Sequence, residues 1–149
     1  MSAMISLLNV EKYPKCSNIW DMNKVLADQF YNEILSGNRT TFVYSIDNEY
    51  VAEISLVYDM KDIDYTISNK RAYVSRLIVK KEYRRKGIGK ELIRFIKSEA
   101  IKQGLQELSI GVDLDNFPAL KLYIASGFNQ IIHIGEDEQG KFVKLLCSL

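Results

Sequence analysis

Two prolines, two cysteines, one histidine and one tryptophan in 149 residues exclude several kinds of protein at the outset. Cys16 and Cys147 lie far apart and make neither a metal-binding nor a redox spacing. Both read as reduced thiols, which fits a cytoplasmic protein. The lone histidine, His133, falls late in the chain on an expected closing strand, a place for surface packing rather than catalysis. No apolar run reaches membrane-spanning length. The start, Met1-Ser2-Ala3-Met4, lacks the basic region and apolar core of a signal peptide. Net charge is only +1, so nothing draws the whole molecule to nucleic acid or to a membrane surface. There is no repeat, low-complexity tract or linker. The rest of the composition, 47% hydrophobic and 26% charged, is ordinary for a single soluble domain spanning 1–149.

The most informative stretch runs from Arg76 to Gly104. Leu77, Ile78 and Val79 end an apolar run of the kind a covered strand requires. Arg84, Arg85, Lys86, Gly87, Ile88 and Gly89 then form a basic, glycine-containing turn. From Ile88 onward, Leu92, Ile96 and Ala100 recur every four positions, while Lys90, Arg94, Lys97 and Lys102 take the other face. That is an amphipathic helix, with Gly104 suited to end it. The first N–H groups of a helix have no partner within it, and the helix dipole adds positive charge at the same end. A strand, a glycine turn and a helix start therefore make a phosphate cradle, to which Arg84, Arg85, Lys86 and Lys90 add full charges. A nucleoside-triphosphate loop would need Ser or Thr after Gly89-Lys90, and the residue there is Glu91. A dinucleotide fingerprint would need Gly or Ala at Leu92.

The remaining elements are set by periodicity and turn residues. Met4 to Val10 is a candidate strand, and Pro14 breaks the chain after it. Between Lys15 and Ser36, Ile19, Trp20, Met22, Val25, Leu26, Phe30, Ile34 and Leu35 have mostly helical spacing, which predicts one short and one longer helix ending near Gly37. Thr41–Ile46 and Glu49–Tyr58 flank Asp47-Asn48 as a hairpin. Asp59–Lys70 reads as a loop reaching over the site. Arg71–Val79 and Glu107–Leu114 are strands, and Asn116 caps a helix that ends at Gly127. Asn129–Ile134 and Phe142–Cys147 close the chain around a turn at Glu136–Gly140. The order β-α-α-β-β-β-α-β-α-β-β implies an α+β fold: a mixed, mostly antiparallel sheet of about seven strands flanked by about four helices.

In this form Arg-x-x-Gly-x-Gly after a strand resembles the coenzyme A pyrophosphate loop of the GNAT superfamily of N-acetyltransferases. A second stretch agrees: Asn116, Ala119, Leu122, Tyr123, Gly127 and Phe128 match the Asn-x-x-Ala-x-x-Leu-Tyr-x-x-x-Gly-Phe pattern of that superfamily. Asn116 and Tyr123 stand seven residues apart, about two helical turns, and so share a helix face. The resemblance covers nearly the whole chain and is strongest from Ala72 to Phe128. It departs from the common pattern at Lys81, where many members have Pro, and at Arg85, where many have Gly. It implies acetyl-CoA as cosubstrate and no metal. Leu77, Ile78 and Val79 would pair with the pantetheine arm, Arg84 through Lys90 would hold the pyrophosphate, Asn116 would bond the pantetheine, and Tyr123 would sit near the thioester sulfur.

Direct acetyl transfer needs a neutral amine, a polarised thioester carbonyl and a proton for the leaving thiolate. A tyrosine at pKa ~10 protonating a thiolate near ~8.5 works uphill by about 2 kcal/mol, which Tyr123 could supply as general acid. Glu53 is the first candidate for the base and Asp113 the second. Arg76 stands where some members carry an acidic residue, which argues for an anionic group on the acceptor. The leading expectation is acetyl transfer to a primary amine of a small molecule. The alternatives are a protein N-terminus or lysine as acceptor, or a non-catalytic acyl-CoA-binding sensor. No nucleic-acid or membrane partner is expected, and assembly as a homodimer is compatible with the chain.

Overall fold

A computed structural model describes residues 2–19 and 24–149, so the expectations placed on Trp20 and Met22 lie outside it. The strands are β1 (Ala3–Leu7), β2 (Arg39–Ile46), β3 (Glu49–Val57), β4 (Arg71–Val79), β5 (Glu107–Asp113), β6 (Gln130–Asp137) and β7 (Gly140–Ser148). The helices are α1 (Lys24–Ser36), α2 (Ile88–Lys102) and α3 (Phe117–Ala125), with 3₁₀ segments at Val10–Asn18 and Lys81–Tyr83. The seven strands form one sheet in the order β1-β2-β3-β4-β5-β7-β6. It is mixed: β4 and β5 run parallel, while β1–β2, β2–β3, β5–β7 and β6–β7 are antiparallel. This is the α+β architecture expected, with the predicted element order. Two compact units divide the chain, Met1–Val57 with Ser75–Ile96 and Tyr58–Val74 with Lys97–Leu149.

In the first unit, Asp47 and Asn48 take φ of 50° and 69°, the left-handed pair that a two-residue hairpin turn requires and that short polar side chains tolerate. β2 and β3 lack the alternation of a half-solvated sheet, because nearly every residue of both is buried. Pro14 does not break the chain after β1. It lies inside the 3₁₀ segment, whose start Asn9 caps by accepting from the Glu11 N–H at 3.2 Å. A tight turn tolerates proline where a longer α-helix would lose a ladder bond. The segment delivers Tyr13 and Cys16 into a core with Leu8, Ile19, Phe30 and Val43. Of the Leu26-Phe30-Ile34 stripe on α1 only Phe30 is fully buried; the other two pack at the margin.

The second unit is built on the antiparallel ladder of β5 and β7, from Glu107↔Ser148 to Asp113↔Phe142, with β6 beside β7. The parallel β4–β5 ladder is short, pairing Arg71, Ala72 and Tyr73 with Glu107, Leu108 and Ser109. The 59–70 segment is tied down along its length. Arg71 Nη1 donates to the carbonyls of Ile63 and Asp64 (3.2 and 2.9 Å), and Ser109 Oγ donates to Tyr65 O at 2.6 Å. Lys144 Nζ reaches Asp62 at 2.9 Å and Asp64 at 3.1 Å. Asn116 caps α3 as expected, accepting from the Ala119 N–H at 3.3 Å. Lys97 Nζ donates to Ser126 O at 2.8 Å just past the end of that helix. The β6–β7 turn is tighter than expected, with both strands longer and Gly140 at φ +121°.

Candidate functional site

The basic turn lies in the first unit, and its backbone has the predicted character. Arg84 Nε donates to Val79 O at 2.8 Å, folding the chain back after β4. Arg85 and Gly87 take φ of +62° and +84°, so two left-handed residues bracket Lys86. The first backbone bond of α2 is Glu91 N–H to Gly87 O. Among the described residues, no backbone or side-chain acceptor takes the N–H groups of Arg85, Lys86, Gly87, Ile88, Gly89 or Lys90. A Cβ at Gly87 would meet nothing within 4 Å, so the space above the turn is open. Six unpartnered donors, a helix start and the exposed Arg85, Lys86 and Lys90 fit a diphosphate. Tyr83 supports the turn from one side, donating to Glu49 at 3.2 Å with Lys86 Nζ 5.5 Å from its ring centre.

Leu77, Ile78 and Val79 precede this turn and differ from the expectation of a covered strand. Ala72, Val74 and Ser75 are buried, but the three hydrophobics after Arg76 are only partly so. The cause is Arg76, whose φ of +58° interrupts the strand's alternation. Its guanidinium lies 5.7 Å from the Phe30 ring centre, and its Nε is 3.7 Å from Glu53 Oε1. Glu53 itself is only 2% exposed and also takes a hydrogen bond from the Cys16 thiol. Burial, with the Glu53 charge beside it, holds that thiol's pKa well above the ordinary range. The first-named base is therefore a buried, paired carboxylate, and the Arg76 charge is answered inside the protein.

The second unit brings Asn116, Tyr123 and Asp113 together. They line a cleft of about 500 Å³ with Asp62, Tyr65, Tyr73, Gly111, Asp137, Phe142 and Lys144. Tyr123 is 9% exposed, and its ring packs edge-on against Phe128 at 6.3 Å. Burial, with Tyr73 adding a smaller contribution, pushes its pKa up to about 12. Protonating a thiolate near ~8.5 would then be uphill by about 3.5 units, or ~5 kcal/mol, more than an unperturbed tyrosine implies. Its hydroxyl makes no hydrogen bond to a described residue, and it is not among the fully buried atoms left without a partner, so it opens on the cleft. Asp113 is exposed at the end of β5.

Sequence reasoning missed Tyr65, Asp62, Asp137 and Lys144 as wall residues. The 59–70 segment carries no motif. Lys144 becomes visible only through the β5–β7 register, which sets it opposite Gly111. The Tyr65 hydroxyl lies over that glycine, where an added Cβ would come within 2.5 Å of it. His133 is exposed on β6, its ring 6.0 Å from that of Phe142. No described residues form a group of three or more His, Cys, Asp or Glu placed to hold a metal ion. No described helix is long and apolar enough to cross a membrane.

Residues 3–128 match the family model described as the acetyltransferase (GNAT) family. Over 60 residues the chain is 42% identical to GCN5-related N-acetyltransferase 7, chloroplastic, of Arabidopsis thaliana. That match covers 40% of this chain and only 22% of the plant protein. Among solved structures, the ribosomal-protein-S18-alanine N-acetyltransferase of Escherichia coli superposes with a TM-score of 0.80 at 18% identity, covering 99% of this chain and 94% of that one. A GNAT family acetyltransferase of Elizabethkingia anophelis with acetyl-CoA bound gives 0.77 at 18% identity, with 99% and 98% covered. At such identities the structural likeness concerns the fold.

Proposed function

The chain belongs to the acetyltransferase (GNAT) family, and from that premise we propose that it is a single-domain, acetyl-CoA-dependent N-acetyltransferase acting on a primary amine of a small molecule. The observation that carries the cosubstrate is the run of six unpartnered N–H groups from Arg85 to Lys90 under the open Gly87. These would take the pyrophosphate oxygens of acetyl-CoA, with Arg84, Arg85, Lys86 and Lys90 supplying charge. The partly exposed Leu77, Ile78 and Val79 would offer their backbone to the pantetheine arm, and Asn116 its amide. The likeness to a structure with acetyl-CoA bound supports this choice of ligand.

Within that reading the thioester carries the acetyl group, and this chain's residues position it and move protons. Tyr123, with an unshared hydroxyl, gives a proton to the leaving sulfur. For proton removal from the amine the two carboxylates exchange the order that the sequence suggests. Asp113 is accessible and lines the same cleft as Tyr123, so it is the better acceptor, directly or through water. Glu53, buried and held by Arg76 and Cys16, serves to fix the left-handed kink of β4. The small-molecule acceptor is favoured over a protein one by the cleft, whose walls of side chains suit a compact ligand. The protein-acceptor reading keeps some support from the fold likeness to the S18-alanine enzyme. A cytoplasmic location goes with this reading, supported by the two free cysteines, Cys16 and Cys147.

The test is a thiol-release assay with acetyl-CoA against polyamines, aminoglycosides, amino acids and short peptides, alongside calorimetry of acetyl-CoA binding. Release with a small amine and not with peptides is the expected result. Tight binding with no release from any amine would favour a sensor instead. Absence of binding would overturn the reading of the turn.

A further inference from the structure

We propose that the Tyr123 cleft selects acceptors that carry a second cationic group, a diamine or polyamine rather than a monoamine or an amino acid. This rests on the N-acetyltransferase reading and adds the acceptor's chemistry to it. Four charged side chains line the cleft: Asp62, Asp113, Asp137 and Lys144. Lys144 is fully engaged, held by Asp62 and by Asp64 at 2.9 and 3.1 Å. Asp113 and Asp137 make no ion pair among the described residues. Asp137 accepts only the nearby Gln139 N–H, at 2.9 Å. The cleft therefore presents two carboxylates with no opposing charge.

Its other walls are aromatic: Tyr65, Tyr73, Tyr123 and Phe142. Such faces attract ammonium groups, and Lys144 already sits 4.7 Å from the Tyr65 ring centre. An independent sign of a ligand is the Tyr123 hydroxyl, on a side chain nine-tenths buried and without a hydrogen-bond partner among the described residues. That oxygen is not among the fully buried atoms left without a partner, so it opens on the cleft, where a ligand can reach it. The carboxylates are not grouped to chelate a metal ion, so an organic cation is the fitting occupant. A volume of about 500 Å³ accommodates a short alkyl diamine with room for an acetyl donor. In this arrangement one amine of the acceptor reacts beside Asp113 and Tyr123, and the distal ammonium rests on Asp137 against Phe142. The same charge disfavours a carboxylate on the acceptor.

The discriminating pair is 1,4-diaminobutane and butylamine, equal in length and differing by one ammonium. In the thiol-release assay the diamine is expected to show a KM about two- to fivefold lower, the value of one partly exposed ion pair. Asp137→Asn keeps an oxygen for the Gln139 N–H but loses the charge, and should bring the KM ratio close to one. Equal KM values in the parent, or an unchanged ratio in Asp137→Asn, would overturn the proposal while leaving the acetyltransferase reading intact. Direct NMR titration of the whole protein with 1,4-diaminobutane needs no turnover. If no amine is acetylated, diamine binding lost in Asp137→Asn still supports the cleft's selectivity, and absence of binding overturns it.

Discussion

Replacing Tyr123 by Phe removes one oxygen and nothing else from the cleft, and its consequences can be worked from the geometry. The hydroxyl has no hydrogen-bond partner among the described residues, so its loss orphans no other group. Stability should change by no more than about 0.5 kcal/mol. Activity should change far more. A group at pKa about 12 protonating a thiolate near ~8.5 adds roughly 5 kcal/mol to the path. That fits beneath the ~16 kcal/mol barrier of an enzyme turning over about ten times per second. Without the phenol, water must supply the proton, and loss of a general acid typically costs 10²- to 10⁴-fold. The expectation is a kcat lowered at least ~100-fold, with KM for acetyl-CoA changed less than about threefold. The profile in pH is equally specific. Because the phenol stays protonated to about pH 11, the parent should show no fall in kcat near pH 10 from this group. Retention of kcat within twofold by Tyr123→Phe from pH 7 to 9 would refute the assignment.

Three further outcomes are expected. Gly87→Ala meets no neighbour but forces a side chain to φ +84°, a strain of ~1–2 kcal/mol partly offset in the unfolded chain, so Tm should fall by only a few degrees. Gly87→Glu should weaken acetyl-CoA binding more than tenfold by calorimetry, since its side chain would project into the open space above the turn, and unchanged affinity would remove the turn as a phosphate site. Glu53→Ala strands the Arg76 guanidinium and should cost about 3 kcal/mol in urea unfolding; parent-like stability would show that the pair contributes little. Alkaline denaturation should be steep. Tyr123 ionises at ~10 when unfolded and at about 12 when folded. Its raised pKa leaves stability intact below pH 10 and removes about 3 kcal/mol as pH rises through 12. Tyr65, also raised to about 12, acts in the same direction. Unfolding free energies measured from pH 9 to 12 should therefore fall, and a flat profile would contradict the burial of both phenols.

Which of these features could be read from the chain depends on how local each is. The turn and α2 were legible because their signals are consecutive: glycines, basic residues and a four-residue apolar repeat all lie between Arg84 and Ala100. Asn116 and Tyr123 were legible as a pair for the same reason, lying on one short helix. Arg76 was not. A left-handed residue inside a strand has no signature when it is neither Gly nor Asn, and its partner Glu53 is contributed by another strand. The cleft was legible only in part, because Lys144 faces Asp62 across 82 residues of sequence. Such contacts depend on strand register, which periodicity does not specify. The 3₁₀ run through Pro14 was missed because proline argues against long helices while leaving tight turns open.

The two cysteines take on another use once their surroundings are known. Cys16 is 0% and Cys147 1% exposed, and burial raises the pKa of both thiols. Reagents that colour free thiols will find coenzyme A released in solution long before they find the folded protein, so the activity assay carries almost no background of its own. Each thiol must wait for its surroundings to open before it reacts. Since Cys16 lies in the first compact unit and Cys147 in the second, slow labelling and then peptide mass mapping give two clocks in one molecule. Their rates report how often each half of the chain comes apart, and whether a bound coenzyme slows one clock, the other, or both.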